Sequence, residues 1–247
     1  MKLILKTKDL SFFFNKKSLL IVIMSFLIFQ VSYSQTIKTV GSGGDYSTLT
    51  MAFNAINNGT LIGDIVLQII SSHTLTTTAT LNASGTGSAN YSSVLIYPTG
   101  SGYTISGSLN DNMINLNGAD NVTFDGRVNQ SGNADLTISN ASTGNLASTI
   151  RFINSAESNT IKYCNIKGSS LNNTGGVIVF ATSTSGNGND NNTITNNNIT
   201  NANGNRPVNL IFSLGTAGRE NNTNAIQNNL LYDFFNTSAN SNAITII

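Results

Sequence analysis

The chain has 247 residues, a formal net charge of +1, 9% charged and 39% hydrophobic residues, 22 glycines, two prolines and one cysteine. That balance excludes a charge-rich disordered chain and any internal disulfide, and it supplies apolar side chains for one large domain or two small ones. Few stretches carry the 3.6-residue apolar period of a helix; short strands joined by tight turns are expected, since Asn and Gly accept positive φ.

Residues 1–34 read as an export signal. Lys2, Lys6, Lys8, Lys16 and Lys17 form a basic leader, and "SLLIVIMSFLIF" (18–29) is an apolar run. "VSYS" (31–34) then places Ser32 and Ser34 where a signal peptidase reads small residues. The apolar run falls short of the ~20 residues of a spanning helix, so cleavage before Gln35 and a secreted or cell-surface product without a membrane span are expected. Five lysines and Asp9 leave with the signal. Seven basic and ten acidic residues remain, a net charge near −3. A nucleic-acid partner is excluded on that account, because it needs a basic face.

The next segment, "TIKTVGSGGDYSTLTMAFNAINNG" (36–59), predicts a strand and a short helix that caps the first coil. Tyr46, Leu49, Ala52, Phe53 and Ile56 have the spacing of one apolar helix face, with Asp45 or Ser47 as N-cap. The segment resembles the opening of secreted right-handed β-helix proteins, notably pectin methylesterases and other pectate-lyase-like families. There a strand and "DGSGD-Y/F-x-T-I-x-x-A-I" lead into a capping helix. Gly41, Gly43, Gly44, Asp45, Tyr46, Thr48, Leu49, Ala52 and Ile56 stand at the matching positions.

Further along, His73 precedes "TLTTTATL", which reads as one alternating strand with an exposed histidine at its start. A single histidine excludes a multi-histidine zinc site. "NVTFDGR" sets Asp125 and Arg127 two apart around Gly126. Asp-Gly signals a turn with a local ion pair; in a continuing strand both would face outward as a sugar-binding pair.

The second half repeats. "NTIKYCNI" (159–166), "NTITNNNI" (192–199) and "NAIQNNLL" (224–231) align, with Ile161, Ile194 and Ile226 spaced 33 and 32 apart. A second apolar segment follows each: "GGVIVFAT" (175–182), "PVNLIFSL" (207–214) and "NAITII" (242–247). Phe180 and Phe212 are 32 apart. "MINLNGADNVTFDG" (113–126) is a looser earlier copy. Apolar residues alternate over four to six positions and are mostly β-branched, so the repeats are strands, not helical hairpins. The core columns are then Ile161, Ile194, Ile226, Phe180 and Phe212. Asn159, Asn192 and Asn224 turn the corners and hydrogen-bond from coil to coil.

These readings give an all-β, right-handed parallel β-helix with a short N-terminal capping helix. Residues 36–59 form the cap and 60–247 the coils, with the solenoid expected to continue past Ile247 or to associate end to end. The chain also resembles Asn-rich β-helix segments of surface proteins from Bacteroidetes-type bacteria. The catalytic motifs of pectate-lyase-like enzymes are not present, and the acidic residues read as scattered singly. No cofactor is expected. Calcium has one candidate, Asp190 in "SGNGNDNNT" (185–193), which resembles the calcium nonapeptide but has Asn192 where that pattern needs a large apolar residue. Lys162 and Lys167, either side of Tyr163, are read either as a small glycan-facing patch or as solubilising lysines on an outer face. The function expected is a non-catalytic secreted or cell-surface scaffold, an adhesin, stalk or glycan-contacting module. The alternative is a pectate-lyase-like lyase, hydrolase or esterase. Sequencing the N-terminus of the exported protein is expected to return Gln35 within two or three residues; recovery of Met1 would remove the signal assignment.

Overall fold

In the computed structural model, which describes residues 35–237 and 240–247, the alternating segments form short parallel strands. The expected export signal lies outside the described residues. After β1 (Thr36–Val40) and helix α1 (Leu49–Asn57), the chain runs through successive three-strand coils. The first holds β2 (Ile62–Ile69), β3 (His73–Leu75) and β4 (Ala79–Asn82), the second β5 (Asn90–Pro98), β6 (Thr104–Gly107) and β7 (Asn112–Asn117). Next come β8 (Val122–Asp125), β9 (Thr137–Asn140) and β10 (Ser148–Ile153), then β11 (Thr160–Lys162), β12 (Asn165–Gly168) and β13 (Ile178–Phe180). The last two coils are β14 (Thr193–Thr195), β15 (Asn198–Asn201) and β16 (Asn209–Ser213), and β17 (Ala225–Gln227), β18 (Leu230–Leu231) and β19 (Asn242–Ile246).

Each strand pairs in parallel with its copy in the neighbouring coil, which yields three sheets. Sheet 1 runs β1-β2-β5-β8-β11-β14-β17, sheet 2 from β3 to β18, and sheet 3 from β4 to β19. The fold is a parallel β-helix with one α-helix near its N-terminus. Stacking at about 4.8 Å per coil puts like on like. Leu67, Ile96, Phe124, Ile161, Ile194 and Ile226 form one column, and Ile105, Ile138, Ile166, Ile199 and Leu231 another. Phe152 and Phe180 stack at 4.7 Å between ring centroids. Most of these residues are fully buried, each contributing roughly 1.5–3 kcal/mol.

Helix α1 buries Leu49, Ala52, Phe53 and Ile56 on the first coil, as their spacing predicts. Its N-cap is Thr48, not Asp45 or Ser47: the Thr48 hydroxyl accepts from the Met51 N–H at 3.3 Å. Asp45 is occupied elsewhere, accepting from the Thr39 N–H at 2.8 Å and pairing with Lys38 at 3.2 Å. His73 is also not a free surface residue. Its Nε2 accepts from the Leu49 N–H at 3.3 Å and Nδ1 lies 3.3 Å from the Ser71 carbonyl, so the imidazole ties the helix N-terminus to sheet 2. "TLTTTATL" is two strands rather than one, because the corner at Thr76–Thr78 divides it between β3 and β4.

Each corner gives two adjacent residues distinct roles, and asparagine is used in both. The first residue adopts left-handed φ: Ser158 (58°), Asn191 (58°) and Thr223 (55°) before sheet 1, and Tyr163 (51°), Asn196 (56°) and Asn228 (56°) between sheets 1 and 2. The second turns inward. Asn192 Oδ1 accepts from both the backbone N–H and Nδ2 of Asn159 at 3.0 Å, Asn159 Oδ1 accepts from the Val122 N–H at 2.9 Å, and Asn224 Oδ1 from the Asn192 N–H at 2.8 Å. Each Nδ2 also reaches a corner carbonyl, as Asn192 does with Ala156 at 2.9 Å. Asn197 and Asn229 form a second such stack beneath Cys164, and Asn189 and Asn221 a third beneath Ala156. Asn159, Asn189 and Asn192 are fully buried, and no buried side-chain N or O among the described residues is without a partner.

Phe180 and Phe212 do not stack, contrary to their spacing of 32. Ile178 pairs with Ile211, so Phe212 lies beside Val179 and Phe180 beside Ser213. The reason is the length of this coil, which is 33 residues in every sheet (Ile161 to Ile194, Ile166 to Ile199, Ile178 to Ile211).

Replacing Asn192 by Ala is expected to cost about 2–4 kcal/mol, because it leaves the Asn159 N–H and the Ala156 carbonyl unpaired in the interior. Asn203, exposed with φ 50°, should tolerate Asp with little change. Circular dichroism melts that ranked the two variants equally would refute the division between inward and corner asparagines.

Candidate ligand-binding cleft

Three of the four residues expected to bind a ligand meet at one corner of sheets 1 and 2. Asp125 ends β8 with its carboxylate fully buried. Arg127 grips it through Nε at 2.8 Å and an Nη at 2.6 Å, and Lys162, one coil on, approaches at 3.4 Å. The guanidinium lies 4.3 Å from the centre of the Tyr163 ring. Asp-Gly therefore does make a local ion pair, and Arg127 and Lys162 shield the carboxylate from solvent. Gly126 is required by close approach, since a Cβ there would run into the Tyr163 carbonyl. Burial pushes the Asp125 pKa up, yet the Arg127 hydrogen bonds and the Lys162 charge outweigh it and the net shift is downward. Burial and the nearby Asp125 raise the Cys164 thiol far above its ordinary value, which leaves it inert.

Lys167 is not part of this cluster. It lies on β12 in sheet 2, whereas Lys162 ends β11 in sheet 1, with the Tyr163–Cys164 corner between them. Asp190 Oδ1 accepts from the Asn222 N–H at 2.6 Å, a coil-to-coil bond. Among the described residues no group of three or more His, Cys, Asp or Glu is placed to hold a metal.

The acidic residues are not scattered singly, as the sequence suggests. Asp120, Glu157 and Asp190 each stand just before a left-handed corner residue, so they fall in one column on successive coils. The Asp120 carboxylate accepts from the Glu157 N–H at 2.7 Å. Burial first, then the charges of Asp120 and Asp190, raise the Glu157 pKa against a lowering bond from Asn187. The signal was present in the segments "DNVT", "ESNT" and "DNNT", which align once the strand that follows each is placed in register.

A cleft of about 320 Å³ opens on sheet 3, a location the sequence did not single out. Its floor is Arg151 of β10 and Val179 of β13; its walls come from the loops between sheets 2 and 3, with Asn145, Leu146, Asn172 and Thr174. Those loops are held to one another, Asn172 Nδ2 donating to the Asn145 carbonyl at 2.7 Å. Asp111 lines one side, its Oδ1 accepting from the backbone N–H and side-chain amide of Asn112 at 2.7 and 3.0 Å. Leu146 is 69% exposed at the rim. Amides, hydroxyls, one cation, one carboxylate and an apolar ledge are the usual equipment for binding a small polar ligand. No protein-family model, curated protein or solved structure matches the chain.

Opposite pH effects follow for the two acidic features. The folded-state pKa of Asp125 is depressed, so its stabilisation is complete above the ordinary carboxylate range and is lost as pH falls through the folded value. Asp125→Asn should cost about 2–3 kcal/mol at pH 7 and progressively less in acid. Glu157 is raised, so its effect has the other sign: stability present at low pH is lost as pH rises through its folded pKa. Glu157→Gln should stabilise by about 0.5 kcal/mol at pH 7 and not below pH ~4. Melting curves from pH 3 to 8 test both, and two parallel curves would contradict the assignment.

Proposed function

We propose that this protein is a secreted or cell-surface β-helix scaffold that contacts glycans through the cleft on sheet 3 and does not transform them. The observation that carries this reading is the cleft's lining of amides and hydroxyls around one guanidinium and one carboxylate, Asp111, with Leu146 as a ledge for the C–H face of a sugar. Acid–base cleavage of a glycosidic bond or ester needs carboxylates or a free base placed beside one another. Here Asp125 is locked by Arg127 and Lys162, Asp120 and Asp190 are bonded into the corners, and Asp111 in the cleft accepts two donors from Asn112. The expected export signal and the likeness of the N-terminal segment to pectate-lyase-like proteins, and of the coils to Asn-rich bacterial surface proteins, favour an extracellular site and a carbohydrate partner. An adhesin or stalk fits a solenoid of stacked coils.

Two measurements test the reading. Incubation with pectin, polygalacturonate or alginate, with and without calcium, should release no unsaturated or reducing ends. Retention on a glycan array should fall several-fold in Leu146→Ser, with melting unchanged. Calcium-dependent release of unsaturated sugar would replace the scaffold by the lyase reading.

A further inference from the structure

Helix α1 is held on the first coil by two polar anchors, one at each end. At its C-terminal end the Asn57 side chain takes the edge of β4: Oδ1 accepts from the Asn82 N–H at 3.0 Å and Nδ2 donates to the Thr80 carbonyl at 2.8 Å. At its N-terminal end the anchor is His73 on β3, the edge strand of sheet 2. Nε2 accepts from the Leu49 N–H and Nδ1 lies beside the Ser71 carbonyl, both at 3.3 Å. One neutral tautomer meets both demands, with the proton on Nδ1 donated to Ser71 and the Nε2 lone pair left for Leu49. Ser71 is itself bound to the loop before α1, since its hydroxyl accepts from the Ser42 N–H at 2.7 Å.

The two anchors differ in their response to acid. A carboxamide accepts and donates at any ordinary pH, whereas an imidazole that gains a second proton has no acceptor left. Its Nε2–H would then point at the Leu49 N–H, donor against donor, with a positive charge at the positive end of the helix dipole. No described carboxylate pairs with the ring. Helix α1 and β6, the strand that pairs with β3, carry no titratable side chain. The loop before α1 holds Asp45 and Tyr46, β1 holds Lys38, and the corner before β6 holds Tyr103. Asp45 is already paired with Lys38 and accepts from the Thr39 N–H and hydroxyl. Burial holds the His73 pKa below its ordinary value, and the bond to Ser71 only partly opposes this.

We infer that α1 is a cap released in mild acid, with His73 as the latch that proton uptake opens. The N-terminal half of the helix leaves the coil first, because Asn57 keeps its hold on β4. Release uncovers His73 at the edge of β3 and the apolar face of the helix, Leu49, Ala52 and Phe53, while the coils stay folded. The sign follows from linkage. A histidine kept neutral in the closed state takes up its proton only on opening, so opening grows as pH falls below ~6.5 and levels off at the closed-state pKa.

The chain has a single histidine, so a proton NMR titration of the full chain reads His73 directly. The ring should titrate below ~6.5. Hydrogen exchange, corrected for the intrinsic pH dependence of the chemistry, should show the α1 amides opening up to about tenfold more per pH unit over the same interval, with the coils still protected. His73→Gln, which keeps a side-chain acceptor and cannot take up the proton, should hold α1 protection level between about pH 7.5 and 5. Asn57→Ala, which removes the other anchor, should loosen the helix by one factor at every pH in that range. Should His73→Gln fail to fold, coincidence of the ring titration with the rise in α1 exchange in the unsubstituted chain decides. Level α1 exchange across that range in the unsubstituted chain, or an equal acid response in His73→Gln, would overturn the inference. Protection lost from the coils at the same pH would overturn it too, because acid would then be unfolding the solenoid as a whole.

Discussion

A backbone N–H at the inner corner of a β-helix has no strand partner, and the low-polarity interior makes leaving it unpaired expensive. Everything distinctive in this sequence follows from that constraint. A side chain that meets it must be short, must carry both an acceptor and a donor, and must fit between coils about 4.8 Å apart. Asparagine meets all three requirements. Asn192 accepts from the coil on one side and donates to a carbonyl on that same side, while its own N–H passes to Asn224 on the other. The stacks stop at Val122, Ala156 and Cys164, where the preceding coil has no inward asparagine. At the Cys164 corner the chain before it makes a wide loop from Gly126 to Leu136 instead of a tight turn. Asparagine richness thus marks the region where coils have nearly equal length.

Equal coils impose a second consequence: every residue sits on its own copy. For isoleucine this is favourable, and for a carboxylate it is not. The column of Asp120, Glu157 and Asp190 is tolerated because Asp120 and Asp190 each accept a backbone N–H from the next coil and Glu157 accepts from the Asn187 side-chain amide. Asp125 solves the same difficulty differently. It is buried, and two cations, Arg127 from its own corner and Lys162 from the next coil, neutralise it. The cleft exists where the equality fails. Loops between sheets 2 and 3 vary in length and conformation, rise as walls, and turn part of sheet 3 into a floor.

Composition and spacing by themselves determined the parallel coil architecture, the apolar face of α1, the isoleucine columns and the existence of asparagine stacks. These depend on local periodicity and on repetition, both of which are written in one dimension. Register was legible only where all three strands of a coil were compared together. Phe180 and Phe212 mislead because a single matched pair cannot show that the coil is 33 residues long, while Ile161/Ile194 and Ile166/Ile199 show it directly. What only the tertiary structure decided is which polar groups meet. Lys162 joins Asp125 across 37 residues while Lys167, five positions on, belongs to another sheet; His73 reaches back to a helix end; Arg151 and Asp111 line one cleft without forming an ion pair. Such meetings depend on where each corner falls and how far each loop extends. Those are set by packing across coils, so the candidate site stayed hidden in a sequence whose fold was plain.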